Sequence, residues 1–300
     1  MVDVAIAQND SIGQAIEDAL DQLELNDLVR GRIVAVKPNE TFASADDVSG
    51  VTQGDTLRAV LRYLKRPEPR RLLVSGGAGA AETEEVMRLS GMLDALREED
   101  VELVDHNRGP FQEVALSYAP ERDVEGPQVA VMVNPRVLEY ETLISLAQLK
   151  LHSTATVTLT MKNIAMSFPA ADFYGHPRAE ERHEQGFFQD MHSFIVAMVR
   201  RFPIQLGIIV GHPAMIATGP LGGHAVETGL VIASRDAVAA DTVGARLLGF
   251  NVQAVRHLWE ARRLGLGETD QENMRYTGMS MDEAVRAFTQ RAYGEALTFS

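Results

Sequence analysis

The 300-residue chain contains no cysteine, which excludes disulfides, thiolate zinc sites and iron–sulfur clusters ligated by its own cysteines. Any divalent metal would have to rest on histidine, carboxylate, amide or backbone oxygen. The chain also lacks any uninterrupted apolar run of about eighteen residues, so no transmembrane helix and no membrane partner is expected. Its opening segment, Met1–Leu20, carries acids where a secretory signal would need a basic region and an apolar run. A soluble, cytoplasmic protein is therefore expected. Basic charge is in short supply: 28 Lys and Arg face 42 Asp and Glu, for a net charge of −14. Such a surface repels polyanions, so a nucleic-acid partner is not expected. Internal repeats and low-complexity tracts are missing as well.

What is present reads as an ordinary globular chain, 45% hydrophobic and 23% charged. Short β-branched runs alternate with amphipathic segments. Strands are predicted at Val2–Ala7, Gly31–Val36, Arg71–Val74, Val101–Val104, Val129–Val133, Leu143–Leu149, Leu206–Val210 and Gly229–Ala233, with Thr156–Leu159 extending one of them. Helices are predicted over Ile12–Leu25, Thr52–Leu64, from near Thr83, over Phe187–Val199 and Ala237–Leu248, with the remainder helical. This alternation predicts an α/β fold, a mostly parallel sheet covered by helices on both faces. The aperiodic stretch from Pro110 to Gly126 predicts a hinge, hence two lobes, 1–126 and 127–300, around a cleft.

Six of the eight histidines (His152, His176, His183, His192, His212 and His224) fall in less than a quarter of the chain. Histidine is both the acid/base of neutral pH and the commonest metal ligand, so His152, His183, His212 and His224 are candidate metal ligands. Lys150-Leu151-His152 ends an apolar strand, and alternation puts its lysine and imidazole on one face, where α/β sheets place ligands. Lys162-Asn163 and Lys37-Pro38-Asn39 repeat a cation beside an amide, a pairing suited to carboxylate or phosphate. Asp241 lies inside an apolar helix and must meet a lysine, a metal or backbone donors. Asp236 stands where a helix N-cap belongs. The Gly-rich turns around Gly76, Gly77 and Gly79, and around Gly219 and Gly222, could line an anion. Neither has the spacing of a nucleotide loop, which ranks a nucleotide-dependent enzyme last.

Taken in order, Lys37-Pro38-Asn39, Lys150-Leu151-His152, Thr158–Asn163, Gly219–Gly223 and Asp236–Asp241 resemble the family catalogued as domain of unknown function 362, from about Ile33 to Gly278. The family pattern, K-x-H, K-N, a later histidine, G-P-x-x-G and D-x-V-A-x-D, maps onto Lys150 and His152, Lys162 and Asn163, His183, Gly219 to Gly222, and Asp236 with Asp241. Many relatives carry a ferredoxin-like cluster module, which a chain without cysteine does not share. Relatives also carry acids before G-P-x-x-G, whereas Val210–Thr218 here has none. The layout of the N-terminal half is, more loosely, similar to the substrate-binding lobe of nickel-pincer lactate racemase.

The resulting expectation is an enzyme for a small anionic, carboxylate-type molecule, catalysing proton transfer of a lyase or isomerase kind. Lys150, His152, Lys162, His183 and Asp241 are its expected catalytic groups. Lys37, Asn39, Asn163 and the named glycines would bind substrate. The alternative is a non-catalytic protein that holds a metal or cofactor.

Overall fold

Apolar runs too short for helices, and rich in valine and isoleucine, form the strands of one central sheet. The computed structural model describes residues 1–118, 130–171 and 190–298. The first strands are β1 (Val2–Gln8), β2 (Ile33–Pro38), β3 (Arg71–Gly76), β4 (Glu102–Asp105) and β5 (Gln112–Ala115). The later ones are β6 (Ala130–Val133), β7 (Thr142–His152), β8 (Thr156–Val157), β9 (Leu206–Ile216), β10 (His224–Val226), β11 (Leu230–Ser234) and β12 (Met274–Gly278). The principal sheet has ten strands in the order β12-β1-β11-β9-β7-β2-β3-β4, with β8 on β7 and β10 on β9. From β9 through β7, β2 and β3 to β4 every pairing is parallel, and so is β1 with β12; along this path only β11 runs against its neighbours. β5 and β6 form a separate antiparallel pair.

Helices cover both faces. They are α1 (Ile12–Leu20), α2 (Asn26–Val29), α3 (Gly54–Lys65), α4 (Thr83–Leu89) and α5 (Met92–Glu98), then α6 (Leu159–Ala165), α7 (Met191–Arg201), α8 (Ala237–Leu247), α9 (Arg256–Arg263) and α10 (Met281–Tyr293). Strand alternation sorts the core into two layers. Val34, Val36, Ile144, Leu146 and Ile208 pack with Ile16, Leu57, Leu61 and Leu96 on one side. Ala35, Leu143, Ala147, Ile209 and Ile232 pack with Ile164, Phe194, Val243 and Phe288 on the other. On α3 the spacing of Leu57, Val60, Leu61 and Leu64 makes one apolar stripe, and all four are fully buried. Burying each contributes about 1.5–3 kcal/mol.

Several elements differ from the sequence-based expectation, among them β5, a strand within the stretch expected to be an aperiodic hinge. The first helix stops at Leu20, and the chain re-forms only a short turn at Asn26–Val29. The threonine-rich run becomes a helix at Leu159, because tertiary contacts outweigh the β-propensity of threonine. The tail is not wholly helical: Met274–Gly278 alternates and pairs with β1 as β12. Gly278 there has φ +77°, and a Cβ would sit 2.4 Å from the Ile6 carbonyl oxygen, so this tight strand end needs glycine. The expected lobe boundary at Gly126 lies outside the described residues. Strands from its two sides hydrogen-bond in one sheet, since β2 pairs with β7.

Candidate functional site

The carboxyl ends of β2 and β7 lie side by side, so Lys37, Asn39 and Lys150 emerge together. The pairing of β7 with β9 slips between Gln148 and Lys150, an irregularity of the kind that re-aims side chains beside sites. From β7 the chain returns through β8 into α6, passing Thr156 at φ +67° and Leu159 at φ +46°. Left-handed backbone at non-glycine residues costs about 1–3 kcal/mol each. Here it delivers Lys162 and Asn163 to the same place on a helix rather than on a strand.

Asp241, on α8, fixes that helix. Its carboxylate accepts from the Thr160 backbone N–H at 2.7 Å, the Thr160 hydroxyl at 2.6 Å and the Met161 N–H at 2.9 Å. Of the three partners expected for it, backbone donors are the ones it meets. Burial pushes its carboxyl up to about 7 against the pull of these donors. Asp236 caps α8 as expected, accepting from Val238 and Ala239 N–H at 2.9 and 3.0 Å.

Around Asn163 the polar groups are closely matched. Its Nδ2 donates to the Lys37 carbonyl at 3.0 Å and the Ser145 hydroxyl at 3.1 Å, while its Oδ1 accepts from Asn39 Nδ2 at 3.3 Å. Lys37 Nζ lies 2.7 Å from Glu40 Oε1, both side chains being essentially buried. Burial pulls Lys37 down and pushes Glu40 up, and each one's charge opposes the other's shift. The pair carries no net charge whichever partner holds the proton.

Lys150 and Lys162 have no such compensation. Lys150 is fully buried, and its Nζ donates only to neutral oxygens, Asn39 Oδ1 at 2.8 Å and the Gly50 carbonyl at 2.7 Å. Desolvation, reinforced by Lys162 and Lys37, holds it well below the usual lysine range. Lys162 is 8% exposed, and burial alone lowers it to about 7. Neither faces a carboxylate among the described residues.

His152 borders this cluster. Its Nδ1 accepts from the Thr154 and Ala155 backbone N–H groups, both at 3.1 Å. The ring proton must therefore sit on Nε2. Burial and then the charges of Lys162 and Lys150 lower this imidazole to about 2. At neutral pH it is an uncharged donor.

The two glycine turns have different roles. In Ser75–Gly79, Gly77 N–H donates to Glu40 Oε1 at 2.5 Å and Gly79 N–H to the Glu40 carbonyl at 3.3 Å, so these donors are already taken by the protein. A Cβ on Gly77 would meet His106 Nε2 at 2.0 Å. His106 itself is buried between the Ser75 hydroxyl at 2.8 Å and the Ser167 hydroxyl at 2.9 Å. A Cβ on Gly76 would touch Met87, Thr83 and Leu103, whereas Gly79 has ordinary room beside Thr41. The other turn abuts the site: a Cβ on Gly219 would fall 2.0 Å from the Leu151 carbonyl, and Ser153 N–H donates to the Gly219 carbonyl at 2.9 Å. Gly222 adopts φ +69° with open space around it.

Among the described residues the candidate metal ligands His152, His212 and His224 form no metal-holding group. His212 is held between Asp55, 3.0 Å from Nε2, and Glu227, 2.7 Å from Nδ1. These partners, led by Asp55, raise its pKa. His224 is exposed at the start of β10. His176 and His183 lie outside the described residues. Among those described, no group of three or more His, Asp or Glu is arranged to hold a metal. His192 approaches a residue the sequence reading did not single out, His257 of α9, at 3.0 Å between their Nδ1 atoms. Glu40 was missed too, although an acid three residues after Lys37 at the end of an apolar strand was a usable sign.

Fold and site together define an α/β protein with a lysine- and asparagine-lined site at the carboxyl ends of parallel strands. The chain belongs to the family described as Domain of unknown function (DUF362), whose profile matches residues 34–246. It is also similar to the thylakoid-associated protein sll1697 of Synechocystis sp., at 24% identity over 246 residues, which is 81% of this chain and 71% of that protein. Among the described residues no helix is long and apolar enough to cross a membrane.

Proposed function

We propose that the protein binds a small carboxylate at the ends of β2 and β7 and catalyses a proton transfer on it. The observation that carries this reading is the pair of buried lysines, Lys150 and Lys162, without a carboxylate among the described residues to balance them. Buried cations without counter-charge are costly, and an anionic ligand would supply the missing charge. Lys150, fixed by Asn39 and Gly50, would hold the ligand's carboxylate. Lys162, lowered to about 7 by burial, is poised as a general base at neutral pH. His152, neutral with its proton on Nε2, would donate a hydrogen bond to negative charge developing in the transition state. The site's amides orient the ligand, and its nearby backbone strain accords with a functional role. The proposal places the protein in the cytoplasm, which cell fractionation would test.

The chemical test is hydrogen–deuterium exchange at the α-carbon of small mono- and dicarboxylates in D2O, followed by proton NMR. The wild-type protein should exchange at least one of them. Lys162→Met should lower the rate about 10²–10⁴-fold, the range for loss of a general base. Lys150→Met should chiefly weaken binding. No binding and no exchange across the panel would overturn the proposal.

A further inference from the structure

On β9, His212 meets an acid at each ring nitrogen. Its Nε2 lies 3.0 Å from Asp55 Oδ2, in the first turn of α3. Its Nδ1 lies 2.7 Å from Glu227 Oε2, between β10 and β11. Ionised carboxylates only accept hydrogen bonds, and a neutral imidazole carries a single N–H. Keeping both contacts therefore requires the imidazolium. Loss of one proton sets a bare ring nitrogen against one carboxylate and removes the attraction between charges from both. The side chain is 27% exposed and stands between two surface cavities of about 740 and 460 Å3. It can thus exchange protons with solvent while the fold stays closed. The other charged groups around these cavities are Asp46 and Asp47 and, in ion pairs, Arg58–Glu98, Arg62–Glu99, Arg66–Glu17, Asp94–Arg97 and Asp10–Arg291. The balance facing His212 is negative, and its partners, Asp55 foremost, raise it above the ordinary 6.5.

Residues Ser49–Gln53 form a strap that lies along the end of β7 and leads into α3. Gln148 Nε2 donates to the Ser49 carbonyl at 2.5 Å and to the Pro213 carbonyl at 2.8 Å. Thr52 N–H donates to the Asn39 carbonyl at 2.8 Å, and Asn39 N–H to Thr52 Oγ1 at 2.9 Å. Between them, the Gly50 carbonyl accepts from Lys150 Nζ at 2.7 Å. Both ends of the strap are therefore tied to residues 212 and 213, through Gln148 at Ser49 and through Asp55 at the start of α3.

We propose that His212 is a proton-operated latch on this strap: its imidazolium ties Asp55 to Glu227 and so fixes the Gly50 carbonyl that positions Lys150. The latch stands apart from the carboxylate reading, and where that reading holds it makes the grip on the anion depend on pH. Folding raises the affinity of this histidine for its proton. Its contribution is full below pH 6.5 and is lost as pH rises through the folded value.

The test is NMR of the ligand-free, wild-type chain from about pH 6 to about pH 9. Long-range 1H–15N spectra should show both His212 nitrogens protonated at the acid end, with a midpoint above 6.5. Exchange protection of the Thr52 and Gly54 amides should fall about 2- to 5-fold through that midpoint, the worth of one partly exposed ion pair. The Gly50 carbonyl carbon should shift with it. Asp55→Asn supplies an amide that can donate to the bare Nε2 of a neutral ring, so in this variant the strap signals should no longer follow His212. The wild-type titration decides the matter even where the variant does not fold. A His212 midpoint at or below 6.5 would overturn the latch. So would strap signals that stay still through the His212 titration, or that keep following it in Asp55→Asn. A failure of carboxylate binding would remove the reading of the lysines and leave these outcomes unaltered.

Discussion

Replacing Lys162 with methionine keeps much of the side chain's volume and removes a cation that is 8% exposed. In the folded protein burial lowers this lysine to about 7 from an ordinary value of 10.5. Between those two values the unfolded chain holds a proton that the folded protein has released. Stability contributed through this group therefore rises with pH across that window and is lowest below it. At about 1.4 kcal/mol per tenfold, the full gap corresponds to about 5 kcal/mol. About 2 kcal/mol of it should be regained between pH 7 and pH 9. The assay is urea unfolding of wild type and Lys162→Met over that range, reading the difference between them so that other titrating groups cancel. Methionine should be the more stable at pH 7, and its advantage should shrink by about 2 kcal/mol by pH 9. An advantage constant to within about 0.5 kcal/mol, the usual tolerance of such differences, would refute the argument that Lys162 is a buried cation awaiting an anion.

Two further substitutions probe the supports of the site. Asp241→Ala leaves the Thr160 and Met161 N–H groups without their acceptor; at about 1–3 kcal/mol for each orphaned buried group the loss should be about 2–6 kcal/mol. Hydrogen exchange at α6 should accelerate, and protection unchanged there would sink the capping account. Glu40→Gln strands the Lys37 ammonium and should cost about 3–5 kcal/mol in chemical unfolding; a cost under about 1 kcal/mol would mean that the pair is neutral in the native state and Lys37 needs no counter-charge.

The sheet was legible because its strands are continuous β-branched runs such as Ile33–Val36 and Leu206–Val210, buried on both sides. Lys37, Lys150 and Lys162 could be brought together on paper since two of them end such strands, and strand ends are where parallel sheets bind ligands. Other features depend on contacts that local pattern does not encode. Leu159–Ala165 is helical owing to a carboxylate from α8, 81 residues after Thr160. β12 is a strand because β1 offers it an edge. His257 stands among arginines on an amphipathic helix, and nothing local hints that its ring meets His192. Of the six clustered histidines, His176 and His183 lie outside the described residues, His212 and His224 lie along the β9–β10 hairpin and His152 sits at the end of β7, the strand that pairs with β9.

The bond from Asp241 to the start of α6 also bears on the order in which this protein is made. Lys162 leaves the ribosome well before Asp241, so α6 first exists as a short segment with free N–H groups and no reason to hold its lysine in place. Translation must proceed through α8 before Asp241 can hold the start of α6. A nascent chain lacking α8 should thus carry Lys37, Asn39 and Lys150 in a competent sheet and still fail to grip a carboxylate. On the proposed reading, carboxylate binding would report that synthesis has passed α8.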